Sequence, residues 1–162
     1  MTRFVRAVAT VAVLTACTGS KDARDDFAAM QARGAHVMGV DQYTSTHVFE
    51  DLPDGGRVVL DVDTADSAGI ETIRAHMRDI ATAFRAGDFT KPFEVHAQNV
   101  PGTAVMSARR AGISYTPIDR VWGGEVRIRT SDPAAVAAIH EFLEFQREQH
   151  QAAGHEHSSP DE

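Results

Sequence analysis

One pattern occurs twice in this chain of 162 residues, and that doubling limits its fold more than any other feature. Gly55-Gly56-Arg57-Val58-Val59-Leu60 matches Gly123-Gly124-Glu125-Val126-Arg127-Ile128 at an offset of 68. After a two-residue difference, Gly69-Ile70-Glu71-Thr72-Ile73 matches Ala135-Val136-Ala137-Ala138-Ile139. Each copy reads strand, Gly-Gly turn, strand, helix. The match arises by duplication or by convergence on a common unit. The architecture follows in either case, because it rests on periodicity and turn residues.

The first hairpin is expected to run from Thr46 to Leu52, turn through Pro53-Asp54-Gly55-Gly56, and return from Arg57 to Asp63 with Val58, Leu60 and Val62 on one face. A helix over Ser67 to Arg85 places Ile70, Ile73, Met77, Ile80 and Phe84 on a single stripe, and Gly87 closes it. The second hairpin runs from Ile113 to Arg120 and from Glu125 to Thr130 around Trp122-Gly123-Gly124. Ser131 or Asp132 caps the last helix, Pro133 opens it, and Val136, Ile139, Leu143 and Phe142 form its apolar side. Two such units side by side predict an α+β fold with a mostly antiparallel four-stranded sheet and both helices on one face. Between the units, Phe93-Glu94-Val95-His96 alternates as an edge strand would, and Val100-Pro101-Gly102 turns into a short helix over Thr103 to Arg110. This connector and the loop Met38 to Ser45 interrupt the regular scaffold, which makes them the places where function is expected.

The two ends read differently. Arg3 and Arg6 precede the apolar run Ala7 to Leu14, the layout of a secretory signal and far too short to span a bilayer. Leu14-Thr15-Ala16-Cys17 resembles the bacterial lipobox. The resemblance implies removal of residues 1–16, lipidation of the sole cysteine, Cys17, and acylation of the new amino terminus. Two or more acyl chains anchor a protein stably where one does not. The alternative is an ordinary secretory signal with Cys17 left as a free thiol. Thr18 stands where inner-membrane lipoproteins carry aspartate, which points to the outer membrane in a cell that has two. Residues 17–33 read as a flexible tether, 34–150 as the α+β domain, and 151–162, built from Ala, Gly, Ser, Pro, His and acids, as a disordered tail.

Loss of residues 1–16 removes Arg3 and Arg6 and no acid, leaving 14 basic and 23 acidic side chains. Such an acidic domain without a basic cluster is a poor partner for phosphate backbones, so nucleic acid is set aside.

Eight histidines in an exported chain raise the question of a transition metal, since imidazole suits Cu and Zn and a Met thioether favours Cu(I). His47 shares a strand face with Phe49. His96 opens the connector, ten residues before Met106, and His150 extends the last helix's apolar stripe by seven residues past Leu143. His47, His96 and His150, with Met38 or Met106, are therefore expected to converge near one end of the sheet. A histidine on a half-apolar strand or helix is, however, more often a hydrogen-bonded structural side chain than a ligand. There is no His-x-x-x-His and no Cys-x-x-Cys. His76 and His140 flank their stripes as boundary residues, and His155-Glu156-His157 is a solvated tail segment that would hold metal only loosely. Asp61, Asp63 and Asp66 form a carboxylate patch that helix capping and solubility also explain. No Gly-x-Ser-x-Gly elbow and no phosphate loop is present.

The blocks Met38-Gly39-Val40-Asp41-Gln42, Thr46-His47-Val48-Phe49, Arg74-Ala75-His76-Met77, Val100-Pro101-Gly102 and Ile139 to Gln146 with His150 resemble a family of small bacterial proteins without an established biochemical role. The resemblance covers about Gly34 to His150. Similar chains have carried the label aspartate carbamoyltransferase. This chain lacks the Ser-Thr-Arg-Thr phosphate loop of that enzyme and is far shorter, so its residues do not support the label.

Three readings follow. The first is a lipid-anchored envelope domain binding a small ligand or a transition metal, Cu or Zn, through His47, His96 and His150. The second is a protein-interaction module using the sheet face that carries Arg57, Val59, Arg127 and Arg129. The third is a small enzyme built on His96, Asp41 and Arg109, which requires those three to meet.

Overall fold

The computed structural model describes residues 19–39, 44–63 and 65–152. Its elements are α1 (Gly19–Met38), β1 (Ser45–Leu52), β2 (Gly55–Val62), α2 (Ser67–Ala86), α3 (Thr90–His96), α4 (Thr103–Ala108), β3 (Ile113–Asp119), β4 (Gly123–Thr130) and α5 (Pro133–His150). The signal segment, Cys17, Asp41 and residues 153–162 lie outside the described residues.

The four strands form one sheet in the order β1-β2-β4-β3, every pairing antiparallel, with the helices packed on the sheet as the doubled pattern predicts. The central pairing reveals how the copies relate. Val58 lies directly opposite Val126, its own counterpart at an offset of 68, so a pseudo-twofold passes between them. Each long helix then packs across the dyad, α2 mainly on β3 and β4, and α5 on β1 and β2.

Equivalent residues hold equivalent contacts. Asp66 and Asp132 cap α2 and α5 by accepting from the backbone N–H two residues on, at 3.1 and 2.9 Å. Arg74 of α2 donates to the carbonyls of Arg120 and Gly123 in the β3–β4 turn at 2.6 and 3.2 Å. At the matching position of α5, His140 Nε2 lies 3.0 and 2.9 Å from the carbonyls of Leu52 and Gly55, the matching residues of the β1–β2 turn. The second glycine of each pair makes room for the crossing helix: a Cβ on Gly56 would sit 2.2 Å from Leu143, and one on Gly124 2.9 Å from Met77.

The core fills the space between sheet and helices, with Leu60, Ile73, Val126, Ile128, Ile139 and Leu143 all fully buried. On the opposite face, arginines cover the strands. Arg57 pairs with Glu50, Arg120 with Asp61 at 3.0 Å, and Arg127 with Asp54. Beneath them Val59 and Glu125 are buried, the arginine stems acting as the cover.

Two expectations are corrected. Residues 19–33 are not a flexible tether but the larger part of a 20-residue helix. Met30 and Gly34 are buried, Phe27 and Val37 half-buried, and Arg33 Nε donates to the Val95 carbonyl at 2.8 Å. The apolar stripe Phe27, Met30, Gly34, Val37, Met38 has helical spacing, and a boundary drawn at Gly34 cuts it in two. Nor is Phe93 to His96 an edge strand. It is the body of α3, where Pro92 sits in a first turn that needs no donor from it and Asp88 accepts from the Thr90 N–H at 2.9 Å. The helical turn buries Val95 and His96 together and leaves Phe93 outside.

Candidate functional site

The expected convergence of histidines is present. His47 on β1, His96 at the end of α3 and His150 at the end of α5 line one cavity of about 80 Å³. The His150 ring stacks on His47, with centroids 5.1 Å apart and planes 17° apart, and stands nearly perpendicular to His96 at 5.2 Å. Phe49 lies 5.4 Å from the same ring. The sheet supplies the floor through Val58 and Leu60, α2 and α5 the sides, and α1 and α3 the outer wall.

Met38 at the end of α1 is in that wall with Val37, so the part of α1 beyond the expected tether builds part of the site. Met106 is not in it. It is fully buried in the hydrophobic core on α4, which packs against α5. The ten-residue step from His96 passes through a helix end, a turn and a second helix, and does not bring the thioether back to the imidazoles. Two lining residues escape the sequence pattern. His76 of α2 is buried against the cavity, although it only flanks the α2 stripe. Gln146 is buried one turn before His150 on the line Ile139, Leu143, Gln146, His150; a glutamine within an apolar stripe is the signal that would have marked it.

The electrostatics of the cavity follow from the burial of its rings. Burial pushes the imidazoles toward the neutral form, His47 and His76 down to about 4 and His150 to about 3. His96 is lowered by burial too, partly offset by its hydrogen bond to Gln146. At neutral pH the four rings are uncharged. Each neutral ring has one donor nitrogen and one lone-pair nitrogen, and hydrogen bonds select which is which. The Ser45 backbone bonds the His47 ring, whose buried Nε2 has no partner among the described residues. His96 Nε2 donates to Gln146 Oε1 at 2.9 Å, leaving the buried Nδ1 likewise without a partner. Two rings that line the cavity therefore each carry a buried nitrogen whose lone pair is unmatched among the described residues. An unmade hydrogen bond of this kind costs about 1–3 kcal/mol.

Among the described residues no three His, Cys, Asp or Glu side chains are disposed to hold a metal ion together. The stacking of His150 on His47 accounts for this on the cavity side, since near-parallel rings do not aim both nitrogens at one centre. The orphaned nitrogens of His47 and His96 fit a ligand of lower coordination demand, or a ligand with its own N–H or O–H donors.

The other candidates disperse. Asp61 is held by Arg120 at 3.0–3.1 Å, Asp63 accepts from Thr46 Oγ1 at 2.8 Å, and Asp66 is the α2 cap. Arg109 pairs with Asp132 at the start of α5, whereas His96 sits by His150 at its other end. Those ends are separated by 18 residues of helix, about 27 Å at ~1.5 Å per residue, so His96 and Arg109 do not meet. On the helix-free sheet face Arg57, Arg127 and Arg129 all have acidic partners, and the exposed apolar residues Ile118, Val121 and Trp122 lie in and after β3.

Compared with known protein families, curated proteins and solved structures, the chain matches none of them. Among the described residues, no helix is long and apolar enough to cross a membrane.

Proposed function

We propose that this chain is a lipid-anchored domain of the cell envelope that captures a small ligand or a transition-metal ion in the histidine cavity. The observation that carries the binding reading is the pair of buried lone pairs on His47 Nε2 and His96 Nδ1, which no donor among the described residues satisfies. A structure tolerates such atoms at a cost, and a bound Lewis acid or hydrogen-bond donor removes that cost. The supporting environment is a mostly apolar wall with a few polar atoms placed on regular elements, the usual composition of a ligand site. The envelope location rests on the lipobox Leu14 to Cys17.

Thermal unfolding of the full chain against metal salts and small polar molecules tests the binding reading. A true ligand at one hundred times its Kd stabilises by about 2.7 kcal/mol. That gain is expected to persist when His155 and His157 are both changed to Ala and to vanish in His47→Ala with His96→Ala. If nothing in either group raises the midpoint beyond what the tail imidazoles alone produce, the cavity is not a binding site. Anchoring is tested separately: Cys17→Ser or globomycin is expected to change the mature mass and move the protein out of the detergent phase, and an unchanged pattern overturns the envelope assignment.

A further inference from the structure

Resting on the reading of the cavity as a binding site, the geometry points to a univalent soft metal ion, Cu(I), as its ligand, held by His47 Nε2 and His96 Nδ1 with the Met38 thioether and His150 alongside. Four features of the cavity converge on that ion.

The first is the donor set. His47 and His96 each commit one nitrogen to a protein partner, the Ser45 backbone and Gln146, and present the other as a lone pair. A second hydrogen bond that fixes the tautomer and orients the ring is the arrangement that metal-bound imidazoles use. The second feature is softness. Met38 lines the same wall, and a thioether beside neutral imidazoles selects Cu(I) over Zn(II).

Charge is the third feature. Among the described residues no carboxylate lines the cavity, and the one charged side chain that does, Lys91, is a cation tied to Asp79 at 3.0 Å. The desolvation cost of an ion scales with the square of its charge, so a divalent ion would bear about four times the burden of a univalent one, with Asp63 and Asp79 near His47 and His76 but not in the lining. The fourth is coordination number. With no three imidazole, thiol or carboxylate groups able to converge among the described residues, a tetrahedral or octahedral ion lacks its ligands. An ion content with two or three ligands does not.

Competition between the full chain and bicinchoninate for Cu(I), under anaerobic reducing conditions and with His155 and His157 changed to Ala, tests this directly. A parallel competition measures Zn(II). We expect one Cu(I) per chain, at least 100-fold tighter than Zn(II), and X-ray absorption showing imidazole nitrogen with a sulfur neighbour that disappears in Met38→Leu. His96→Ala is expected to weaken Cu(I) at least 100-fold, with the circular dichroism spectrum reporting whether that variant is folded. Should it unfold, Met38→Leu and the absorption spectrum carry the test alone. Zn(II) binding as tightly as Cu(I) overturns the inference and leaves the cavity a binding site. Failure of both metals overturns it as well, and the small-molecule arm of the thermal screen then decides whether the cavity binds anything.

Discussion

The two halves of the sheet end in the same position filled with opposite chemistry. Across the dyad from β1, Tyr115 stands where β1 has His47, and Phe84 of α2 stands where α5 has His150. In one half those residues meet edge to face, with centroids 5.7 Å apart, and Phe89 and Phe142 complete an aromatic cluster around Phe84. In the other half the rings are imidazoles stacked at 5.1 Å, joined by His96, and the space beside them is a cavity. The scaffold tolerates a dry aromatic plug at this position, so packing does not require the histidines. Their presence in one half alone is what marks that half as the site. The exchange continues on the facing helices: Phe142 of α5, packed edge to face on Phe84, corresponds to His76 of α2, and both border the cavity.

The sharpest way to break this comparison is to truncate both sides. Phe84→Ala removes a fully buried ring packed against Phe89, Tyr115 and Phe142 and is expected to cost about 3–5 kcal/mol in urea unfolding. His150 borders the same cavity, but it is a smaller, half-buried ring, so His150→Ala at the matching position is expected to cost less than half as much. Equal losses would mean that the histidine half is as tightly packed a core as its counterpart.

Acid provides the second contrast. An unfolded imidazole titrates near 6.5, whereas burial holds His47 and His76 at about 4 and His150 at about 3. Between those values the unfolded chain binds protons that the folded chain refuses. Stability from these groups is fully present above pH 6.5 and is lost as the pH falls from 6.5 toward 4. Asp63 and Asp79 nearby oppose the depression for His47 and His76, while Lys91, Arg33 and the neighbouring imidazoles reinforce it in the cluster. The urea midpoint is expected to drop steeply over that window, by a few kcal/mol in total. A midpoint independent of pH from 7 to 4 would mean that the rings are solvated and already free to charge.

A transplant then asks whether the difference between the halves is functional. His47→Phe with His150→Phe gives the other half an aromatic pair like Tyr115–Phe84, without the Tyr115 hydroxyl, which is itself buried without a partner among the described residues. It removes a buried orphan nitrogen and a second desolvated imidazole and is expected to stabilise the ligand-free chain by about 1–3 kcal/mol at pH 7. The acid sensitivity should flatten and ligand capture should disappear. Stabilisation accompanied by loss of binding is the pattern of a site maintained against the interest of stability. A transplant that destabilises would show that the histidines are the better-packed solution.

How far this was readable without coordinates differs between scaffold and site. The doubled Gly-Gly hairpin and helix specify the sheet and the faces of α2 and α5, and narrow the α5 cap to Ser131 or Asp132, because glycine tolerance, strand alternation and helical stripes are local properties. His47 and His150 were readable for the same reason, each being an extension of an apolar face. His96 was placed near them for a weaker reason, since its segment was expected as a strand; Pro92 favours a first helical turn as readily as an edge strand, and only packing against α1 distinguishes the two. Met38 against Met106 was undecidable, because the path of α1 back across the cavity is a tertiary fact. So was the swap of helices across the dyad, which depends on how two identical faces choose partners.

The smallest expected effect tests the pseudo-symmetry itself. Arg74 and His140 occupy matching positions and bond matching carbonyls, but one donor is a guanidinium and the other an imidazole nitrogen. Arg74 donates through two nitrogens, one to each carbonyl, whereas a single His140 nitrogen serves both, and a hydrogen bond contributes about 0.5–1.5 kcal/mol. Arg74→Ala is therefore expected to cost roughly twice what His140→Ala costs. The double variant should sum the two, because the turns they hold lie at opposite ends of the central strands, Gly55 facing Arg129 and Gly123 facing Asp61. Hydrogen exchange adds the spatial readout: Arg74→Ala should loosen amides around Arg120 to Gly124, and His140→Ala those around Leu52 to Gly56. If either variant loosens both turns, the crossing helices act as one clamp and the two halves are not independent units.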